Sequence, residues 1–256
     1  LYNKSNYIND YYSQICVTEI AKILKTNKKI LLTNSCSSSL EIAALCIKNT
    51  KKFRAKSNII MPSYTFPSTA NAFIKFGYKI KFIDINHHDL MITAESVLNA
   101  IDSNTIGLVN VYYGSHVNNP KKLLKICKEN GMFFIEDSAQ SFGTKIDGES
   151  IGTFGEFGCF SFHQTKNLHS GFGGALVVDK KFYNTATMIL DRGTDREFIG
   201  KKGNKKKFYD WCIEGGSYMT SEFNSFFLSK ELDKFYKIRN IRSKIFNNYV
   251  NFFNKY

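Results

Sequence analysis

Short runs of β-branched and aromatic residues, separated by longer stretches of helix-like spacing, limit this chain to few architectures. The strand-like runs are Lys29 to Thr33, Asn58 to Met61, Lys79 to Ile85, Ile106 to Tyr113, Met132 to Glu136, Gly158 to Phe162 and Ala175 to Val178. Between them, Ser38 to Lys48 puts Leu40, Ala43, Ala44 and Ile47 on one helical face. Pro120 to Asn130 repeats this with Leu123, Leu124 and Cys127, and Ala94 to Ala100 predicts a shorter helix. Pro120 stands where a first helical turn tolerates proline. The alternation predicts an α/β domain with a mainly parallel sheet flanked by helices. The polar, weakly periodic stretch from Asp191 to Ser217 reads as a long excursion, and an aromatic-rich helical pattern follows from Ser221 onward.

With 43% hydrophobic residues in 256, the chain can bury a substantial core, which excludes global disorder. No apolar run reaches the length of a bilayer span, so no membrane role is expected. The formal charge of +13 raises the question of nucleic acid, but the lysines are spread along the chain. Only Lys201 to Lys207 concentrates them, and no groove-reading motif accompanies it, so no nucleic-acid partner is expected. A basic surface also suits an anionic substrate. The six cysteines form no CxxC pair and no zinc spacing, which points to a reduced, cytoplasmic setting and to no metal. Starting at Leu1 and stopping in a helix-like stretch, the chain reads as a piece of a longer protein.

Ligands of parallel α/β sheets gather beyond the carboxyl ends of the strands. Four junctions there carry chemistry. Thr33 to Ser39 (TNSCSSS) precedes an apolar-faced helix, and its hydroxyls and free N–H groups suit a phosphate; an ordinary Ser-rich N-cap reads the same way. Phe133 to Gln140 (FFIEDSAQ) ends a buried strand in two acids. An Asp there can hold a metal, a ribose or a protonated ring nitrogen, or simply cap the next element. Gly158 to Asn167 (GCFSFHQTKN), followed by Gly171 to Gly174, places Lys166 just past an aromatic strand. Its neutral amine would be a Schiff-base nucleophile, although most lysines of this chain are surface residues. Met61 to Asn71 supplies an aromatic ring and hydroxyls, or a turn with a core Phe. In combination, a phosphate cradle, a stacking ring, an Asp and a Lys are the parts a pyridoxal phosphate site requires.

The motifs NSCSSSLEIAAL, IIMPSYTFPSTANAF, FFIEDSAQSFG, IGTFGEFGCFSFHQTKN and GGSYMTSEF resemble those of the DegT/StrS-type sugar aminotransferases, in motif order from about Lys29 to Phe227. PSYTF-STANAF, CFSFH-TKN and the Gly193 to Arg196 segment point to the branch that makes dTDP-4-amino-4,6-dideoxygalactose. The resemblance implies the large domain of a type I (aspartate aminotransferase-like) PLP-dependent transferase over residues 1–230, its N-terminus trimmed. Residues 231–256 would begin the C-terminal small domain, otherwise largely missing, or a connecting helix. It implies pyridoxal 5'-phosphate as cofactor, with Lys166 binding its aldehyde and acting as acid and base. Asp137 would pair with the pyridinium nitrogen, Gln140 would contact the ring hydroxyl side, and Phe66 would stack on the ring. Cys36, Ser37 and Ser161 would hold the phosphate, and Ser217 would complete the neighbouring subunit's phosphate site, which requires a homodimer. His163, Tyr112 and Arg196 are candidate substrate contacts, His163 equally a residue packed beside the cofactor. Phe172 stands where the family carries an acid.

The implied reaction moves the amino group of L-glutamate to a nucleotide-linked 4-keto-6-deoxy sugar, for surface glycan or lipopolysaccharide synthesis. The rivals are a 3-aminotransferase, a sugar dehydratase of the same family, and an inactive or regulatory relative that keeps the fold. The dehydratase branch replaces the lysine, typically with His, and Lys166 is present.

Overall fold

The expected strands form within a few residues of their sequence bounds. The structure, a computed structural model, describes residues 10–200 and 206–255. In chain order the elements are α1 (Tyr11–Leu24), β1 (Lys29–Thr33), α2 (Cys36–Lys48), β2 (Asn58–Pro62), α3 (Pro67–Ile74), β3 (Lys79–Ile83), α4 (Ala94–Ala100) and β4 (Thr105–Val111). They continue with α5 (Pro120–Glu129), β5 (Phe133–Asp137), a small hairpin of β6 (Lys145–Ile146) and β7 (Glu149–Ser150), β8 (Phe157–Ser161), β9 (Gly174–Val178), α6 (Lys180–Leu190), α7 (Glu222–Leu232) and α8 (Phe235–Phe253).

The main sheet has seven strands in the order β1-β9-β8-β5-β4-β2-β3. Pairing is parallel from β8 through β5, β4 and β2 to β3, while β9 runs antiparallel to both β8 and β1. Helices cover both faces, which is why β2, β4, β5, β8 and β9 are buried along their whole length. On one face Leu40, Ala43, Ala44 and Ile47 of α2 pack with Phe73 of α3 and Ile189 of α6. On the other, Val97 of α4 and Leu123 and Ile126 of α5 cover Ile60, Leu108 and Phe134. Farther along that face, Cys16 and Ile20 of α1 and Leu228 of α7 close over Phe160, Phe162 and Val177.

Helices α1 and α6 are absent from the sequence expectations, although Cys16, Ile20 and Leu24 carry helical spacing. So is α3, where proline and β-branched residues obscure the pattern; Pro67 is the first helical residue, where its missing N–H costs nothing. The excursion from Asp191 to Ser217 is a strap whose ends are joined by an Asp191–Ser217 bridge, with a second bridge between Thr194 and Trp211. Most of the basic run lies outside the described residues; of it, Lys206 pairs with Asp195 and Asp210. Residue 230, where the boundary is expected, lies inside α7, and the chain stays packed as far as Phe235, which lies against Phe142. Beyond it α8 is largely exposed. Among the described residues, no helix is long and apolar enough to cross a membrane.

Candidate functional site

The carboxyl ends of β2, β4, β5 and β8 lie along one edge of the sheet, set by the registers Val111 with Asp137 and Asp137 with Cys159. At the centre of that edge is Asp137, 5% exposed. Its Oδ2 accepts from the Thr69 hydroxyl at 2.7 Å and its Oδ1 from the Ala139 N–H at 3.2 Å. Burial pushes the Asp137 carboxyl up, while Thr69, Ala139 and the positive charge of Lys166 pull it down. The neighbouring thiols Cys36 and Cys159 are pushed well up by burial and by Asp137 itself, so they stay neutral and add no competing anion.

Lys166 lies in the 163–173 loop that joins β8 to β9, closed by Phe162 N–H to Gly173 and Gln164 N–H to Gly171. Its own N–H donates to the His163 carbonyl at 2.8 Å, a tight turn that sets where the side chain leaves the backbone. The same turn fixes His163. Its Nδ1 lies 3.0 Å from the Thr165 hydroxyl and 3.3 Å from the Thr165 N–H, and the ring meets Phe172 edge-on at 5.1 Å.

The phosphate cradle is the start of α2. Ser35 caps it, its Oγ accepting from the Ser38 N–H at 3.1 Å. The first-turn N–H groups of Cys36 and Ser37 have no intrahelical acceptor, and the helix dipole adds partial positive charge there. Gly174 lets this loop sit against the sheet: a Cβ on it would lie 2.5 Å from the Ser35 carbonyl carbon and 2.6 Å from the Cys36 nitrogen. Gly174 pairs with Ser161 and with Thr33, which brings the Ser161 hydroxyl to the same corner. Gly174→Ala should therefore push the loop away and weaken pyridoxal phosphate binding about tenfold, roughly 1.4 kcal/mol. A fluorescence titration of the cofactor reads this; an unchanged dissociation constant would contradict the cradle.

Phe66, the N-cap of α3, is 67% exposed at the site's edge, which corrects the reading of a turn with a core Phe. Gln140 accepts at Oε1 from the Gly114 N–H at 2.7 Å. Ser217 is exposed on the strap, where its Oγ accepts from Arg192 and its carbonyl from Asn34, beside the cradle.

Two candidate substrate residues are held by protein partners. Tyr112 is 1% exposed and its hydroxyl donates to Glu136 at 2.9 Å, so it belongs to the core under the site. Arg196 spends its Nε and Nη2 on Asp191, which is 2% exposed, and this pair anchors the strap. The sequence reading also missed Thr69, whose only signal is its place two residues after the proline that opens α3.

The donor set fits pyridoxal phosphate: N–H groups and hydroxyls for the phosphate, a buried carboxylate for the ring nitrogen, an exposed aromatic ring and an amine. Among the described residues there is no cluster of three metal-ligating side chains.

GDP-perosamine synthase of Vibrio cholerae is 26% identical over 219 residues, covering 81% of this chain and 57% of that protein. GDP-4-keto-6-deoxy-D-mannose 3-dehydratase of Escherichia coli O55:H7 is 25% identical over 203 residues, 78% of this chain and 51% of that protein. The solved E. coli GDP-4-keto-6-deoxy-D-mannose 3-dehydratase with bound hydrated PLP superimposes with a TM-score of 0.81 at 24% identity, covering 91% of this chain and 63% of that one. The chain thus spans about half the length of the curated relatives it matches. A model of the DegT/DnrJ/EryC1/StrS aminotransferases matches residues 6–256. The chain belongs to that family, whose cofactor is pyridoxal 5'-phosphate.

Proposed function

We propose that this chain carries the cofactor site of an aminotransferase that passes the amino group of L-glutamate to a nucleotide-linked 4-keto-6-deoxy sugar for glycan assembly. The observation that carries the reading is Lys166 on a fixed turn in the loop after β8, the strand that pairs with β5 and its buried Asp137. The named relatives support the substrate class: one is a GDP-perosamine synthase, and another acts on a GDP-linked 4-keto-6-deoxy sugar. A dTDP-linked substrate, with the 4-amino-4,6-dideoxygalactose product, remains our finer reading from the PSYTF-STANAF and CFSFH-TKN stretches. A lipopolysaccharide destination belongs to the same finer reading.

When bound, pyridoxal phosphate supplies an electron sink that makes the carbon bearing the amine acidic. The residues of this chain do the rest. Cys36, Ser37 and Ser161 bind the phosphate, and Asp137 holds a proton on the ring nitrogen. Phe66 covers the ring and Gln140 faces its hydroxyl side. Lys166 Nζ takes a proton from the α-carbon of glutamate and later delivers one to the sugar carbon. The sum is L-glutamate plus keto sugar giving 2-oxoglutarate plus amino sugar. His163, held in the same turn as Lys166, would contact the sugar side.

Ser217 reaches the phosphate of a second copy in this reading, so the working unit is a homodimer. The exposed aromatics Phe172, Trp211 and Phe223 support such an interface, since isolated surfaces rarely expose so much ring area. The free thiols, five of the six buried, fit a cytoplasmic setting.

A 3-dehydratase of the same family is the second reading, favoured by the curated relative of that name. One experiment separates the two. The chain is loaded with pyridoxal phosphate, treated with L-glutamate, and offered GDP- and dTDP-linked 4-keto-6-deoxy sugars. Loss of the visible band with glutamate, then its return with formation of an amino sugar, is expected. A deoxygenated keto product with no amino sugar would sink the aminotransferase reading.

A further inference from the structure

Helix α3 presents two residues from its first turn in opposite senses. Phe66 at the N-cap is 67% exposed, and Thr69 is fully buried. The Thr69 hydroxyl lies 2.7 Å from Asp137 Oδ2 and 2.7 Å from the hydroxyl of Thr65, one turn earlier. The direction of these bonds follows from proton counting. A carboxylate only accepts, so Thr69 donates to Asp137; Thr69 has a single hydroxyl proton, so Thr65 must donate to Thr69. The result is a one-way relay, Thr65 to Thr69 to Asp137, running from the half-buried rim into the buried end of β5.

We propose that Thr69, oriented by Thr65, is a positioning residue that holds Asp137 as an ionised acceptor for the ring nitrogen, an assignment that rests on the cofactor reading above. A buried carboxylate with too few donors turns neutral, and a neutral acid no longer holds a proton on the ring nitrogen. The other donor on Asp137, the Ala139 N–H at 3.2 Å, is longer, so the hydroxyl is the stronger support. The charged and titratable groups facing Asp137 are Cys36 from α2, Cys159 from β8 and Lys166 from the following loop, while its strand neighbour Glu136 points to the other face. Of these only Lys166 brings positive charge. The same turn also carries Phe66, so α3 couples the ring's cover to the group that meets its nitrogen.

Thr69→Val removes the hydroxyl at nearly constant volume, Thr69→Ser restores it, and Thr65→Val acts only through Thr69. In cofactor-free protein, the carboxyl carbon of Asp137 is followed by NMR against pH, its signal identified by its loss in Asp137→Asn. The midpoint should move upward in Thr69→Val, return in Thr69→Ser, and move less in Thr65→Val. Pyridoxal phosphate affinity should fall roughly tenfold in Thr69→Val and recover in Thr69→Ser. An unmoved midpoint in both valine variants, whatever the change in melting temperature, overturns the proposal. If Thr69→Val does not fold, Thr69→Ser and Thr65→Val still decide it. If the chain binds no cofactor, the cofactor reading fails while the carboxyl titration still tests the relay.

Discussion

Replacing Lys166 with alanine should slow the glutamate-dependent loss of the visible band by roughly 10⁴-fold, because in the proposed reading the residue serves both as the nucleophile that binds the cofactor and as the base that moves the proton. Stopped-flow absorbance with saturating L-glutamate measures this directly. The companion variant is Lys166→Arg. Arginine keeps the positive charge beside Asp137 but is not deprotonated in proteins, so it cannot accept the proton. If Lys166 merely balanced the charge of Asp137, the arginine variant would retain the rate. If it moves the proton, arginine fails as alanine does. Thermal stability should change little in either variant, since Lys166 is only half-buried and no side-chain hydrogen bond of its amine holds the fold together. A rate within tenfold of the unmodified chain would remove Lys166 from the chemistry.

Much of this site was legible because its parts sit where strands end. Asp137, Lys166 and the Ser-rich loop each lie at or just past the end of a largely apolar strand run, and such runs are easily recognised when a sheet is covered on both faces. Lys166 and Asp137 lie near each other because β8 pairs with β5, a fact of strand order that periodicity does not encode. Tyr112 and Arg196 are polar residues near the motifs, and a sequence does not reveal that a partner such as Glu136 or Asp191 has already taken their polar atoms. Thr69 was invisible for the converse reason, since a threonine in a first helical turn resembles routine capping chemistry. The antiparallel β9 was likewise hidden, because Ala175 to Val178 reads the same in either direction.

The two acids that end β5 pose the same problem within one strand, and the structure gives them opposite tasks. Successive side chains of a strand point to opposite faces. Asp137 turns toward the cofactor site, so Glu136 must turn toward the face of Phe134, where it is fully buried. There its Oε1 accepts from the Tyr112 hydroxyl and the Gly152 N–H, and its Oε2 from the N–H groups of Phe154 and Gly155, all between 2.7 and 2.9 Å. Burial pushes the Glu136 carboxyl up, and these donors pull it back. The glycines allow the approach: a Cβ on Gly155 would lie 2.1 Å from the Phe134 carbonyl oxygen. Glu136→Ala strands three backbone donors and a phenol in the core. At about 1–3 kcal/mol for each unpaired group, partly relieved by relaxation, it should cost roughly 4 kcal/mol. For a chain of this size that lowers the melting temperature by roughly 10 °C in calorimetry. Glu136→Gln should cost roughly half as much, since an amide offers one accepting oxygen where the carboxylate offers two. Equal losses in the two variants would mean that charge, rather than the count of acceptors, is what Glu136 supplies. Cofactor affinity decides the division of labour: Glu136→Gln should lower the melting temperature and leave pyridoxal phosphate binding within about threefold, roughly 0.7 kcal/mol, because the carboxylate proposed to meet the cofactor is the next residue, on the other face.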